Sequence, residues 1–131
     1  MEELIQTAVE KFKLIPPKKF LPKFEYFHSH IYYNASSKEK AVILHHFLKS
    51  TLSQELRISP LFDYLMGPHP FWMFEADFKL KSFLTVIEAL AKHSEDLSIL
   101  IHPLSGDGLL DHTDYAMFLG RKENLILDIF K

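Results

Sequence analysis

Cysteine is absent from the 131 residues of this chain. Its absence excludes disulfides, thiolate metal sites and a cysteine nucleophile, and it is compatible with a reducing cytosol. No apolar run approaches the roughly 20 residues that a membrane helix needs, and the start of the chain lacks the apolar region of a signal peptide. With a net charge of -2, no basic field indicates nucleic acid or an anionic membrane as a partner. We therefore expect a soluble cytoplasmic protein.

The composition of the chain is that of one folded domain, rich in aromatic side chains and histidine. Hydrophobic residues make up 47% and charged residues 24% of the chain, as in folded proteins, and the length suits a single core. Residues 1–22 predict a short amphipathic helix and a linker, because Pro16 and Pro17 stop the helical pattern. We interpret this segment as an arm or lid outside the main domain, residues 23–131, either docked or solvated.

The main domain alternates strand and helix patterns. The stretch 24–33 is rich in aromatic and β-favouring residues and predicts the central strand. The elements follow in the order βαββαβ of a ferredoxin-like α+β fold, in which an antiparallel sheet carries two helices on one face. The other face needs a cover, and we expect a homodimer. The further predicted elements are a helix over 36–53, strands over 56–65 and 71–78, a helix over 79–92, a strand over 97–102 and one more strand over 125–130.

Polar side chains are predicted to gather on the open face of this sheet. Side chains alternate between the faces of a strand, so His28, His30 and Tyr32 share one face of the central strand. The central strand runs antiparallel to the third and fourth strands in this fold, which places Glu75 and His102 near His28. The apolar residues of these strands face the helices, and the other residues assigned to the open face are Met73 and Asp77.

Two or three histidines with one carboxylate form the donor set of a non-heme Fe(II) facial triad, and equally of a catalytic zinc site. Such a set binds a borderline divalent metal and leaves positions open for substrate. Without cysteine, iron, zinc, manganese and nickel all fit chemically. A wet or dimer-buried sheet face explains any one of these polar residues, but their convergence favours a metal site.

Two more histidines lie in loops beside the sheet, and loops on rigid scaffolds commonly carry function. His69 lies between two prolines, which hold its backbone stiffly. His112 is flanked by Asp111, Thr113 and Asp114, any of which could orient its imidazole for proton transfer. A hydrogen-bonded turn residue is an equally good interpretation of His112.

Several short motifs occur in a fixed order over nearly the whole main domain. They are His28–Tyr33, Gly67–Pro70, Met73–Phe78, His102-Pro103, Gly106-Asp107 and Asp111–Thr113. Together they resemble the small DOPA 4,5-dioxygenase-like family. The resemblance implies a ferredoxin-like fold, a non-heme Fe(II) and extradiol 4,5-cleavage of a catechol such as L-DOPA by O2.

The chemistry of that reaction suits the open face. A catechol binds a metal through two oxygens and needs adjacent open positions, such as a facial triad leaves. Bound metal lowers the pKa of the catechol hydroxyl, and a nearby histidine can take the proton. The hypothesis assigns metal binding to His28, His102 and Glu75, substrate binding to His30 and Tyr32, with His30 alternatively a fourth ligand, and catalytic acid/base or pocket roles to His112 and His69.

Two other functions fit the same residues. Ferredoxin-like domains with an open face often dimerise, and the fold alone does not imply activity. A dimeric module that binds a metal or small molecule without cleaving a ring therefore stays open. A zinc hydrolase would use the same donors without oxygen. Turnover of a catechol with uptake of O2 separates the dioxygenase from both.

Overall fold

The aromatic stretch after Pro22 forms the central strand of a five-stranded sheet in a computed structural model, which describes residues 1–130. Its aromatic and β-branched residues favour the extended backbone. The strands are β1 (Tyr26–Tyr33), β2 (Arg57–Ile58), β3 (Trp72–Lys79), β4 (Ile99–Pro103) and β5 (Met117–Leu119). They lie in the order β2-β3-β1-β4-β5, and all neighbouring strands are antiparallel.

Helices connect these strands. Two of them confirm the helices predicted between the first and second strands and between the third and fourth strands, and both carry apolar residues at helical spacing. The helices are α1 (Glu2–Phe12), α2 (Lys38–Thr51), α3 (Phe83–His93) and α4 (Gly108–Asp111), and 3₁₀ turns span Leu80–Ser82 and Leu127–Phe130. Strand order and helix placement confirm the predicted ferredoxin-like α+β fold.

The main core lies between the sheet and the helices. Phe27 and Ile31 of β1 are fully buried on this side, and the Phe27 ring stacks on Phe78 of β3 with 5.5 Å between ring centroids. Leu44 of α2 and Ile87 of α3 are buried in the same cluster. Burial of each such side chain contributes about 1.5–3 kcal/mol to the stability of the fold. Because this core lies on one face of the sheet, the side chains on the other face of the same strands are not needed for it.

The N-terminal segment belongs to the same core. Helix α1 packs against α3 and buries Ile5 and Ala8. Beyond the helix, Leu14 and Leu21 are almost completely buried, and the main-chain N–H of Ile15 donates to the Phe118 carbonyl at 2.7 Å. The structure therefore shows a docked helix, while the division of the chain at residue 22 stays a prediction.

Part of the other sheet face is covered by the chain itself. Tyr32, Met73, Leu100 and Phe118 form a second, smaller apolar cluster there. Partly buried residues from the N-terminal segment, the β2–β3 connection and the C-terminal segment pack against it, namely Ile15, Phe62, Met66, Phe71 and Leu125. The cover ends before the histidine-rich end of the face, which stays partly open.

The second predicted strand is shorter in the structure. Only Arg57–Ile58 pairs regularly with β3, and Phe62 adds an isolated bridge to Met73. Pro60 lies between these two pairings and has no N–H to donate to a strand ladder. The residues around it form a connection that folds over the sheet face.

The strand predicted over 125–130 is wrong. Residues Leu127–Phe130 form a 3₁₀ turn. The strand they would join is β5, and a bridge between Ile15 and Phe118 already occupies its outer edge. Within residues 1–130, no helix combines the length and the apolar character that a membrane crossing requires.

A glycine at the end of β5 provides a test of this packing. Gly120 has a φ of +80°, and a Cβ added there would lie 2.7 Å from the Leu97 carbonyl oxygen. Gly67 has a φ of +52° with open space around the same position. We expect Gly120→Ala to lower the free energy of unfolding by about 2–3 kcal/mol and Gly67→Ala by about 1 kcal/mol. Equal losses in urea unfolding would contradict the close approach of the Leu97 backbone.

Candidate metal centre

The strand register places the predicted polar residues in adjacent rows across the sheet. His28 is the direct partner of His102 on β4 and of Asp77 on β3. In the next row, His30 is the direct partner of Glu75. The side chains of direct partners point to the same face of the sheet. The alternation of side chains along β1 therefore determines which residues meet in the site.

The side chains meet as the sequence predicted. His28 Nδ1 and His30 Nδ1 each lie 3.7 Å from Glu75 Oε1, and the rings of His28 and His102 have centroids 5.4 Å apart. His28 Nε2 also lies 3.6 Å from Asp77 Oδ2. The predicted proximity of Glu75 and His102 to His28 is confirmed.

Three overlapping groups of side chains could hold a metal ion, because their ligand atoms lie within 4.8 Å of one another. All three groups include either His28 or His30, so they describe one continuous centre. They are His28 with His30 and His102, His30 with His69 and His112, and His28 with Glu75 and Asp77.

Burial keeps the imidazoles neutral. His30, His69 and His102 are at most 5% exposed. Burial, together with the neighbouring imidazoles, lowers the pKa of His69 to about 4 and that of His102 to about 3. The pKa of His30 is lowered for the same reasons, and burial also lowers that of His112. Neutral imidazoles have the free lone pair that metal binding needs.

Backbone carbonyls orient two of these rings. His102 Nδ1 lies 2.8 Å from the Pro103 carbonyl oxygen, and His112 Nδ1 lies 2.7 Å from the Gly108 carbonyl oxygen. A carbonyl only accepts, so Nδ1 carries the proton in both rings and Nε2 keeps its lone pair. A backbone partner of this kind is common behind metal-binding histidines. In His112 the orienting group is thus the backbone of the residue four positions earlier.

The innermost atoms fit a bound divalent ion. His30 Nε2 and His102 Nε2 lie 3.0 Å apart. Since the proton of His102 is on Nδ1, His30 Nε2 donates to His102 Nε2, and a metal held there would take the place of the shared proton. His30 Nδ1 and Asp77 Oδ1 are buried without a hydrogen-bond partner, which is costly unless something else satisfies them. Burial raises the pKa of Asp77, and the hydrogen bond with Glu75 and its charge raise it further. A divalent cation would relieve all of these costs.

Tyr32 and His69 form a pair beside the centre. The Tyr32 hydroxyl lies 2.7 Å from His69 Nδ1, and the rings of His69 and His30 have centroids 4.1 Å apart. Tyr32 is 2% exposed, and burial raises its pKa. The structure thus joins two residues that the sequence assigned to separate roles, and it places Tyr32 behind His69.

Removal of this hydroxyl tests the pair. We expect Tyr32→Phe to lower the free energy of unfolding by about 1–3 kcal/mol, because it leaves a buried nitrogen of His69 unpaired. Tyr64→Phe is the matched control, since Tyr64 is 56% exposed and its loss should change stability by less than about 0.5 kcal/mol. Urea unfolding of both variants measures the difference. Equal stabilities would show that the Tyr32 hydroxyl does not support His69.

The centre opens to solvent at one end. The side chains of His28, Glu75 and Asp77 are 27%, 26% and 28% exposed, whereas His30 and His102 are 3% exposed. A cavity of about 510 Å³ begins at His28 and Asp77, within the size range of small-molecule sites. A second cavity, of about 250 Å³, reaches His112 from the side of the N-terminal segment.

Sequence reasoning missed two features near the centre. One is the short helix α4, whose N-cap Asp107 accepts a hydrogen bond from the Leu110 N–H at 3.0 Å. Aspartate is a preferred N-cap residue, so this signal was visible. The other is Arg57, which is the direct partner of Asp77 and lines the larger cavity.

Comparisons with known proteins identify the family and the fold that this chain resembles. A family model described as the Dopa 4,5-dioxygenase family matches residues 27–129. The crystal structure of a "putative dioxygenase" from Nostoc punctiforme PCC 73102 has a TM-score of 0.76 and 32% identity, and covers 81% of this chain and 90% of that one. An "Uncharacterized 21.2 kDa protein" from Botryotinia fuckeliana is 33% identical over 115 residues, 80% of this chain. The match spans 63% of that relative's length.

Proposed function

This chain belongs to the Dopa 4,5-dioxygenase family, and we propose that it is an extradiol dioxygenase that opens the ring of a catechol such as L-DOPA with O2. The observation that carries the proposal is the cluster of neutral histidines beside a carboxylate on one sheet face. The crystal structure with the same fold is described as a "putative dioxygenase", which supports an oxygenase reaction for this chain.

The proposed metal ligands are His28, His102 and Glu75, with His30 as the fourth. Support comes from the short distances among His28, His30 and His102 and among His28, Glu75 and Asp77; within residues 1–130 no single group joins Glu75 to His102. The lone pair on Nε2 of His102 and the unpaired Nδ1 of His30 add to this support. Nitrogen and carboxylate donors with open positions suit Fe(II), and zinc, manganese and nickel bind the same donors. Fe(II) held there would supply the redox chemistry that couples catechol to O2.

The chain itself would bind and orient the catechol. The larger cavity leads to the exposed side of His28, so a catechol entering there meets the metal ligands with its two oxygens first. The ring of Tyr26, which is 52% exposed, lines the same cavity and offers a flat apolar contact. Behind His28, the buried rings of His30 and His102 exclude water from the far side of the centre.

Protons must leave the catechol hydroxyls and return to the product, and two histidines are placed for this. His112 keeps a bare Nε2, because its Nδ1 donates to the Gly108 carbonyl, so it can accept a proton. Its ring centroid lies 4.3 Å from that of His102. His69, held by Tyr32, is the second proposed acid/base group, and its lowered pKa keeps the ring neutral before the reaction.

Oxygen uptake tests the proposal. The chain is loaded with Fe(II) without O2, L-DOPA is added, and air is then admitted. We expect a yellow ring-opened product and one O2 consumed for each catechol, while the Zn(II)-loaded chain consumes none. Stoichiometric iron with no O2 uptake across several catechols would contradict the dioxygenase and favour a binding module. Hydrolysis without O2 would favour a zinc hydrolase instead. The homodimer and the cytoplasmic location stay predictions.

A further inference from the structure

We propose that Arg57 is a specificity-determining residue, which binds an anionic group of the substrate and makes the site prefer catechols that carry a carboxylate. The inference rests on the proposed function, because it takes His28 as the end of the cavity where the catechol oxygens bind. The inference names Arg57 as the residue that contacts the opposite end of the substrate.

Arg57 lies in the same row of side chains as the proposed ligands. The strand register makes His102, His28, Asp77 and Arg57 successive partners across four strands. Arg57 therefore points to the open face, whereas the next residue, Ile58, packs on the main core. Neighbouring strands lie about 4.8 Å apart, so Arg57 lies two strand spacings, about 10 Å, from His28 along the row.

One cavity connects the two ends of this row. His28 and Arg57 both line the cavity of about 510 Å³. Asp77 on β3 lies between them, and Tyr26 and Leu104, which are 52% and 46% exposed, border the cavity beside His28. An aromatic ring that places its two oxygens at His28 and extends along this row would pass over Asp77, and a short substituent on the far side of the ring would reach Arg57.

The charge at this end favours an anion. Among residues 1–130, Arg57 forms no close ion pair. Its row neighbour Asp77 lies 3.6 Å from His28 Nε2, and the charge of Arg57 opposes the rise in the pKa of Asp77 that burial causes. The cavity lining holds three cations, Arg57, Lys79 and Lys81, against the carboxylates of Glu55 and Asp77. Lys79 lies 6.0 Å from the centre of the Tyr26 ring. The planar guanidinium of arginine binds a carboxylate through two parallel hydrogen bonds, which a lysine cannot do.

Equilibrium binding tests the role of Arg57 without relying on turnover. Binding of 3,4-dihydroxyphenylacetate and of its neutral amide is measured by calorimetry without O2, on the metal-free and on the Fe(II)-loaded chain. We expect the acid to bind at least about tenfold more tightly than the amide, as a charge-assisted contact provides. Arg57→Gln should remove this ratio and leave the Kd of the amide unchanged.

Arg121→Gln is the matched control, because Arg121 is also exposed and donates to the Asp96 carbonyl away from this cavity. It should keep the ratio. Equal binding of acid and amide by the wild type, an unchanged ratio in Arg57→Gln, or no binding of either probe would overturn the proposal. A chain that prefers the acid but consumes no O2 would contradict the dioxygenase alone, and a chain that cleaves acid and amide equally well would contradict the role of Arg57 alone.

Discussion

Replacement of His102 by alanine should abolish catechol turnover and weaken metal binding by more than about 100-fold, the upper end of the loss seen when only a supporting group is removed. His102 combines a buried ring with an Nε2 lone pair that lies 3.0 Å from His30 Nε2. Its removal takes away one ligand and leaves the other imidazoles without the geometry of the centre. Metal content after dialysis and kcat on L-DOPA measure the two effects.

The control for this substitution is His46→Ala, on the exposed face of α2. It should retain full metal content and full kcat. Because His102→Ala also opens a cavity in a buried region, Glu75→Gln provides a second test that preserves side-chain volume and removes only the charge. Metal content in both site variants equal to that of His46→Ala would show that the ligands lie elsewhere.

Acid should destabilise the metal-free protein steeply. The pKa of His30, His69 and His102 is lowered in the fold, so below about pH 6.5 the unfolded chain binds more protons than the folded one. The contribution of the histidines is therefore fully present above about pH 6.5 and is lost as the pH decreases. Asp77, whose pKa the fold raises, has the opposite effect and offsets about one histidine. For each histidine that the fold keeps neutral, the free energy of unfolding falls by about 1.4 kcal/mol per pH unit. This fall continues to about pH 4 for His69 and to about pH 3 for His102.

Together these costs approach the total stability of an ordinary domain, about 5–15 kcal/mol, before pH 4 is reached. Thermal unfolding of the metal-free chain between pH 8 and pH 5 measures the effect, and we expect Tm to fall steadily below pH 6.5. His69→Gln should flatten the profile, whereas His46→Gln should leave it unchanged. A Tm that stays constant from pH 7 to pH 5 would show that the buried imidazoles are not held neutral.

The sheet face of the site was predictable because strand geometry is local. Alternation along β1 fixes His28, His30 and Tyr32 on one side whatever their neighbours are, and the βαββαβ order supplies the antiparallel partners. Together, the alternation and the strand order predict that Glu75 and His102 lie near His28. The metal ligands and their roles stay proposals, because distances alone do not choose among overlapping donor groups.

The rest depends on long-range contacts that leave no local pattern. The hydrogen bond between Tyr32 and His69 forms only because the β2–β3 connection folds back over the sheet. Similarly, the apolar pattern of residues 125–130 does not show that Ile15 already pairs with the outer edge of β5. Likewise, the carbonyl that orients His112 belongs to a helix of four residues, too short for a periodic signal.

The most direct test of the central claim is the fate of the two oxygen atoms of O2. The Fe(II)-loaded chain is allowed to react with L-DOPA under ¹⁸O2, and the ring-opened product is analysed by mass spectrometry after rapid quenching. We expect both labelled atoms to enter the product, at the two carbons of the broken bond, and we expect His102→Ala to form no labelled product. A product with one labelled atom or none, or an unopened ring, would contradict extradiol cleavage at this centre.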